Sequence, residues 1–301
     1  MLCVGAGGGG DVVGALAVGE QARALGTPYA VGGVTWERSP IDPLPGPRRL
    51  DEVQDARPLN HAAAMAGPQT RGPGGFAFAE ARMAGVLGTD TLIVDPNPGP
   101  AAVAAALADA AHRLDCDLLV LVDVGGDALA AGHEPGLASP LCDAVLLAGG
   151  SIAAEAGLAT LAAVVGPGCD GELTHDELLR ALAATASAGG LLGVRAVDVG
   201  SLALLEAAAA AVPTEASAQV IRCVRGERGR TAIRGGRRPL ELSALGALTV
   251  YVDPRAALES AAPLARAVRD CPSLDAANDV LHDLGIRTEL DHERARAATG
   301  A

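Results

Sequence analysis

Two aspartates flanking a pair of glycines, Asp123-Val124-Gly125-Gly126-Asp127, follow directly on the apolar run Leu118-Leu119-Val120-Leu121-Val122. A Gly-Gly bend lets backbone approach a ligand closely while both acids turn toward it. Such a pair can divide the work, with Asp127 as general base and Asp123 as a ligand for a cation or a substrate hydroxyl. His133 and Glu134 follow as further acid–base candidates. Ser139 and Asp143 then open an alanine- and leucine-rich stretch, where Asp143 either serves the helix or faces the ligand.

The same pattern recurs along the chain. Leu2-Cys3-Val4 breaks into Gly5-Ala6-Gly7-Gly8-Gly9-Gly10-Asp11, so Gly7, Gly8, Gly9 and Gly10 offer backbone N–H groups where a strand gives way to a helix. Glu37 follows Val31-Gly32-Gly33-Val34-Thr35-Trp36, with Arg38 and Asp42 close behind. In open parallel sheets ligands sit outside the carboxyl ends of the strands, so these acids would share one rim. Clustered carboxylates repel unless something compensates them. That points to a divalent cation (Mg, Mn or Ca) on Asp11 and Asp123, to a cationic substrate, or to a polyol. Asp95-Pro96, Asp170-Gly171 and Asp253-Pro254 read instead as turn formers that satisfy their own backbone. Trp36 either stacks on a ring or sugar or fills core, and Arg38 either forks onto an anion or pairs with Glu37 or Asp42. Gly5-x-Gly7-x-x-Gly10 also fits the dinucleotide fingerprint, although Asp11 would stand where a pyrophosphate needs the positive helix end.

Short apolar runs alternate with longer helical stretches, as repeated βα units do. Strands are expected at 2–5, 28–34, 91–95, 117–123, 158–166 and 247–252, and helices at 11–25, 76–87, 100–113, 139–156, 174–188, 198–211 and 255–269. Within 139–156, Leu141 to Ala148 also fits a buried strand. The expected fold is a single α/β domain over 1–301, Rossmann-like, with a mainly parallel sheet and helices on both faces. Residues 39–75 read as a long loop or lid. Residues 229–243 read as an inserted β-hairpin around Gly235-Gly236, its arginines discouraging edge pairing.

Composition narrows the classes. All 23 basic residues are arginines, which excludes lysine Schiff bases and lysine P-loops. A net charge of −13 with 2% aromatics argues against nucleic-acid binding. The six cysteines are dispersed without a CxxC pair, as in a reducing compartment, and no uninterrupted apolar run suits a membrane span or a secretory signal. A soluble, cytoplasmic protein is expected, with alanine-rich helices that would also suit a homodimer.

The glycine run ending in Asp11, the segment Val-Gly-Gly-Val-Thr-Trp36-Glu37-Arg38 with Asp42-Pro43 and Pro45-Gly46-Pro47-Arg48, and Val-Asp123-Val-Gly-Gly-Asp127 with Glu134 and Ser139-Pro140-Leu141-Cys142-Asp143 together resemble the prokaryotic family known as domain of unknown function 1152. The resemblance covers the chain to about residue 175 and onward. It implies an α/β architecture with these motifs around one cleft and carries no established activity. The residues themselves lead to an enzyme using carboxylates for hydrolysis or group transfer on a small hydroxylated or cationic metabolite that is nucleoside-, sugar- or amino-acid-like. An NAD(P)-dependent oxidoreductase and a non-catalytic ligand-binding or assembly protein are the alternatives.

Overall fold

A computed structural model describes residues 1–299 of the chain. The strands are β1 (Leu2–Gly5), β2 (Ala30–Val34), β3 (Gln54–Pro58), β4 (Ala63–Arg71), β5 (Thr91–Val94), β6 (Leu118–Val124), β7 (Ala159–Val165), β8 (Leu191–Ala196), β9 (Gly229–Ile233), β10 (Arg238–Leu242) and β11 (Leu248–Val252). The helices are α1 (Asp11–Arg23), α2 (Ala79–Leu87), α3 (Pro100–Arg113), α4 (Pro140–Glu155), α5 (His175–Ser187), α6 (Leu202–Ala211), α7 (Ala216–Val224), α8 (Pro254–Ser260), α9 (Pro263–Val268), α10 (Leu274–Asp283) and α11 (Glu289–Thr299).

Nine strands among the described residues form one sheet in the order β3-β4-β5-β2-β1-β6-β7-β11-β8, and β9 and β10 pair separately. Its centre, β5-β2-β1-β6-β7, is parallel. β4 and β11 run antiparallel to their inner neighbours, so both flanks reverse direction. The central strands are apolar on both faces, as strands covered on both sides must be. Leu2, Val4, Leu119 and Leu121 face a core shared with α3, α4 and α8 to α10. Cys3, Val120, Val122 and Val124 face α1, α6 and α7. Helix α1 is buried from Val12 to Gln21 because the sheet and other helices enclose it.

This layering creates the crevice. The helix after β1 lies on one face of the sheet and the helix after β6, its hydrogen-bonded neighbour, lies on the other. Connections leaving adjacent parallel strands in opposite directions open a gap at the carboxyl edge, where such folds take ligands.

Two expectations need correction, and an ambiguous one is resolved. Residues 39–75 are not irregular throughout, since β3 and β4 lie within them and extend the sheet; β3 is largely exposed and lacks the alternation that marks a strand. Residues 139–156 form the expected helix, with Pro140 at the first turn of α4, and the alternative strand over Leu141 to Ala148 does not occur. The stretch 255–269 is broken into α8 and α9 by Pro263. β8, α7, α10 and α11 were not anticipated from the residues.

Close packing of α1 onto β6 rests on Gly14, where a Cβ would stand 2.3 Å from a Val124 methyl. Gly14→Val should therefore lower unfolding stability by roughly 1–3 kcal/mol through overpacking. Urea denaturation checks this, and an unchanged midpoint would contradict the packing described.

Candidate functional site

Asp11 stands at the start of α1, and its carboxylate turns back to accept the Gly7 N–H at 2.8 Å. Gly7 must be glycine here, because a Cβ would meet oxygens of both Asp11 and Asp143 at 2.7 Å. Asp123 lies in β6 and accepts N–H groups of Gly126 at 3.2 Å and Ala128 at 3.0 Å, so the Gly-Gly bend wraps around its carboxylate. Asp143 projects from the first turn of α4. Oxygens of Asp11, Asp123 and Asp143 lie within 4.8 Å of one another.

A second set adjoins the first. Asp127 follows the bend, and Asp170 and Glu172 come from the loop after β7; their oxygens also lie within 4.8 Å of one another. Gly125 makes this possible, with φ of +122° and a hypothetical Cβ only 2.1 Å from Asp170 Cγ. The two sets differ in how they are satisfied. Glu172 accepts from the Ser139 hydroxyl, the Ala138 and Ser139 N–H groups and the Arg238 guanidinium. By contrast, Asp143 Oδ1 and both Asp170 oxygens are buried with no hydrogen-bond partner among the described residues.

Electrostatics follow from that arrangement. Burial and then neighbouring carboxylates hold Asp11, Asp127, Asp143 and Asp170 well above the usual carboxylate range. Burial pushes Asp123 up to about 6. Glu172 is held below its ordinary range because Arg238 and its donors outweigh its burial.

A cavity of about 360 Å³ lies over these acids, a size suited to a small metabolite. Gly7, Gly8, Gly9, Gly10 and Asp11 line it together with Glu37, Arg38, Asp127 and Ser139. Asp143, Asp170 and Glu172 complete its acidic floor. Asp123 stands behind that floor, while Gly125 and Gly126 shape it without lining it.

Four candidates lie elsewhere. Trp36 is fully buried in the core; its Nε1–H donates to Glu293 of α11 at 3.1 Å, and the Arg38 guanidinium covers its ring at 4.3 Å. Asp42 forms a buried ion pair with Arg48 at 2.9 Å, which fastens the loop after β2. Glu134 closes its own turn by accepting from Ala131 and Gly132. His133 is exposed outside the cavity lining. Among the suspected turn formers, Asp95 accepts from Asn97 and Leu50, and Asp253 caps α8 at the opposite end of the sheet because β11 is antiparallel. Asp170, however, is corrected from turn former to site residue.

Several site residues escaped sequence reasoning. Glu289 and Glu293 sit one turn apart on α11; Glu289 accepts the Leu141 and Cys142 N–H groups at the start of α4, and both glutamates flank Arg38. Their four-residue spacing was the available signal, without anything to show what that face meets. Glu172, two residues after Asp170, was open to the same suspicion as its neighbour.

The fold and site thus define an α/β protein with an acidic cleft at the switch point of a parallel sheet. The chain belongs to the family described as protein of unknown function (DUF1152), whose model matches residues 2–297. No curated protein and no solved structure matches it. Among the described residues no helix is long and apolar enough to cross a membrane.

Behind one wall of the cavity, Glu80 is completely buried next to Glu37, with neither carboxylate oxygen hydrogen-bonded among the described residues. Burial raises Glu37 from 4.5 to about 7 even though the Ala79 N–H and Arg82 oppose the shift. A raised folded-state value stabilises below the unfolded value and is lost as pH climbs through the folded one. Glu37 alone should cost about 3 kcal/mol between pH 4.5 and pH above 7. Glu80→Gln should make the stability–pH curve shallower across that window and raise stability above pH 7. Chemical denaturation over a pH series checks this, and an unaltered slope would contradict it.

Proposed function

We propose that the protein is an enzyme acting on a small hydroxylated metabolite by hydrolysis or group transfer, with a divalent cation held by Asp11, Asp123 and Asp143 and with Asp127 as general base. The observation that carries this is the Asp143 carboxylate, buried beside two other acids with an oxygen that no donor among the described residues satisfies. A cation resolves both the orphaned oxygen and the repulsion. The donors are all carboxylate oxygens, which suits Mg, Mn or Ca rather than a thiophilic metal. Such an ion, when bound, lowers the pKa of water or polarises a substrate oxygen.

Asp127 and Asp170 supply the complementary proton chemistry. Two close buried carboxylates cannot both ionise readily, so one of the pair keeps its proton. With Asp127 ionised, it takes a proton from water or a substrate hydroxyl as that oxygen forms its bond to the electrophilic centre. Asp170 then returns its proton to the leaving group as the scissile bond breaks. The nicotinamide-dependent alternative has less support, because Asp11 holds the Gly7 N–H and brings negative charge to the place a pyrophosphate would take.

Mg, Mn or Ca should raise the melting temperature in proportion to the logarithm of their concentration. Asp143→Asn should abolish that shift, whereas Asp127→Asn should retain it and lower turnover by about 10²–10⁴-fold on a substrate returned by a metabolite screen. Absence of any cation shift, or its survival in Asp143→Asn, would overturn the cation assignment. Ligand binding without product would favour the non-catalytic alternative.

A further inference from the structure

The wall facing the acids is basic. The β9–β10 hairpin does not guard an edge of the main sheet, as its arginines alone suggest. It is a separate ribbon seated on the core by Ile233, Leu240 and Leu242. Arg234 from its turn and Arg238 from β10 line the cavity that Asp11, Asp127, Asp143 and Asp170 also line. Arg238 uses one amino nitrogen for both Glu172 at 2.7 Å and the Asp170 carbonyl at 3.3 Å. Its Nε and second amino group have no partner among the described residues. The Arg234 side chain, 53% exposed, makes only a long ion pair with Glu215 among the described residues, at 3.6 Å through Nε, while its backbone N–H donates to the same carboxylate. The cavity continues outward into a chamber of about 1110 Å³ that shares Arg234 and Arg238 and is of mixed charge, adding Arg237, His175 and His292 as well as Glu177, Glu241 and Glu293.

Resting on the cation reading above, we infer that the site takes a phosphorylated metabolite, its phosphoryl group held between the cation and the open forks of Arg234 and Arg238, with the remainder of the molecule in the outer chamber. An acidic floor alone would repel an anion. A floor carrying a cation beneath a ceiling of arginines attracts one from both sides, as in other phosphoryl clamps. The geometry favours phosphoryl over carboxylate, because a phosphoryl group has three oxygens to divide between two guanidinium forks and the cation, whereas a carboxylate must share two. Arginine suits this grip better than lysine would, and the chain contains no lysine.

Calorimetric titration of the full chain with Mg²⁺, followed by inorganic phosphate with and without saturating Mg²⁺, tests the inference. Phosphate should bind appreciably only when Mg²⁺ is present, and acetate should not replace it. Arg234→Ala should weaken phosphate binding roughly tenfold while leaving Mg²⁺ affinity unchanged, and Arg234→Lys should recover part of the loss. If Mg²⁺ binds but phosphate does not, or if phosphate binds equally well to Arg234→Ala, or if acetate matches it, the phosphoryl inference fails while the cation reading stands. If Mg²⁺ does not bind and neither Mn²⁺ nor Ca²⁺ binds in its place, the cation reading fails and takes the inference with it.

Discussion

Five aspartates share one buried place in this protein, and the cost of keeping them there governs the rest of the structure. Asp11, Asp123, Asp127, Asp143 and Asp170 come from four separate segments, and burial raises the proton affinity of every one. Charged groups withdrawn from water are costly unless paired. The chain had arginines with which to pair them, and it uses such pairs elsewhere: Arg48 on Asp42, Arg38 on Glu289 and Glu293, and Arg238 on Glu172. Among the described residues, none of the five aspartates has an arginine ion pair, and only Asp11 and Asp123 are met by backbone N–H groups. Buried groups without a structural partner are where function is most often found.

The fold brings these residues together through ordinary means. β1 and β6 are adjacent, and the chain leaves them toward opposite faces of the sheet. The two glycine bends then remove the side chains that would otherwise fill the gap, Gly7 between Asp11 and Asp143, and Gly125 against Asp170. α11 closes the arrangement from the far end of the chain, since Glu289 satisfies the first N–H groups of α4 and Glu293 holds Trp36, Arg38 and Gly46. Trp36 therefore acts as an anchor for that helix and not as a wall for a ligand.

Much of this was legible in the residues because buried parallel strands are apolar runs that end in glycine and acid. β1, β6, α1 and the pairing of Asp11 with Asp123 follow from that pattern alone. Asp170-Gly171 was ambiguous, because the same dipeptide forms a self-satisfied turn, and only tertiary packing against Gly125 decides which role it takes. Glu134 and Asp42 show the reverse error, since a local N–H pair and a nearby arginine claimed each of them. β3 carries no periodic signal because it is mostly exposed. Glu289 and Glu293 lay beyond reach for another reason, as their partners are more than a hundred residues distant.

The function proposed for this protein depends on a cation settling among Asp11, Asp123 and Asp143. The most direct measurement is a crystal soaked in manganese and measured for anomalous scattering. One strong peak in contact with oxygens of all three side chains is the predicted result. Anomalous density elsewhere, with these three carboxyl groups hydrogen-bonded to one another as acids, would contradict it.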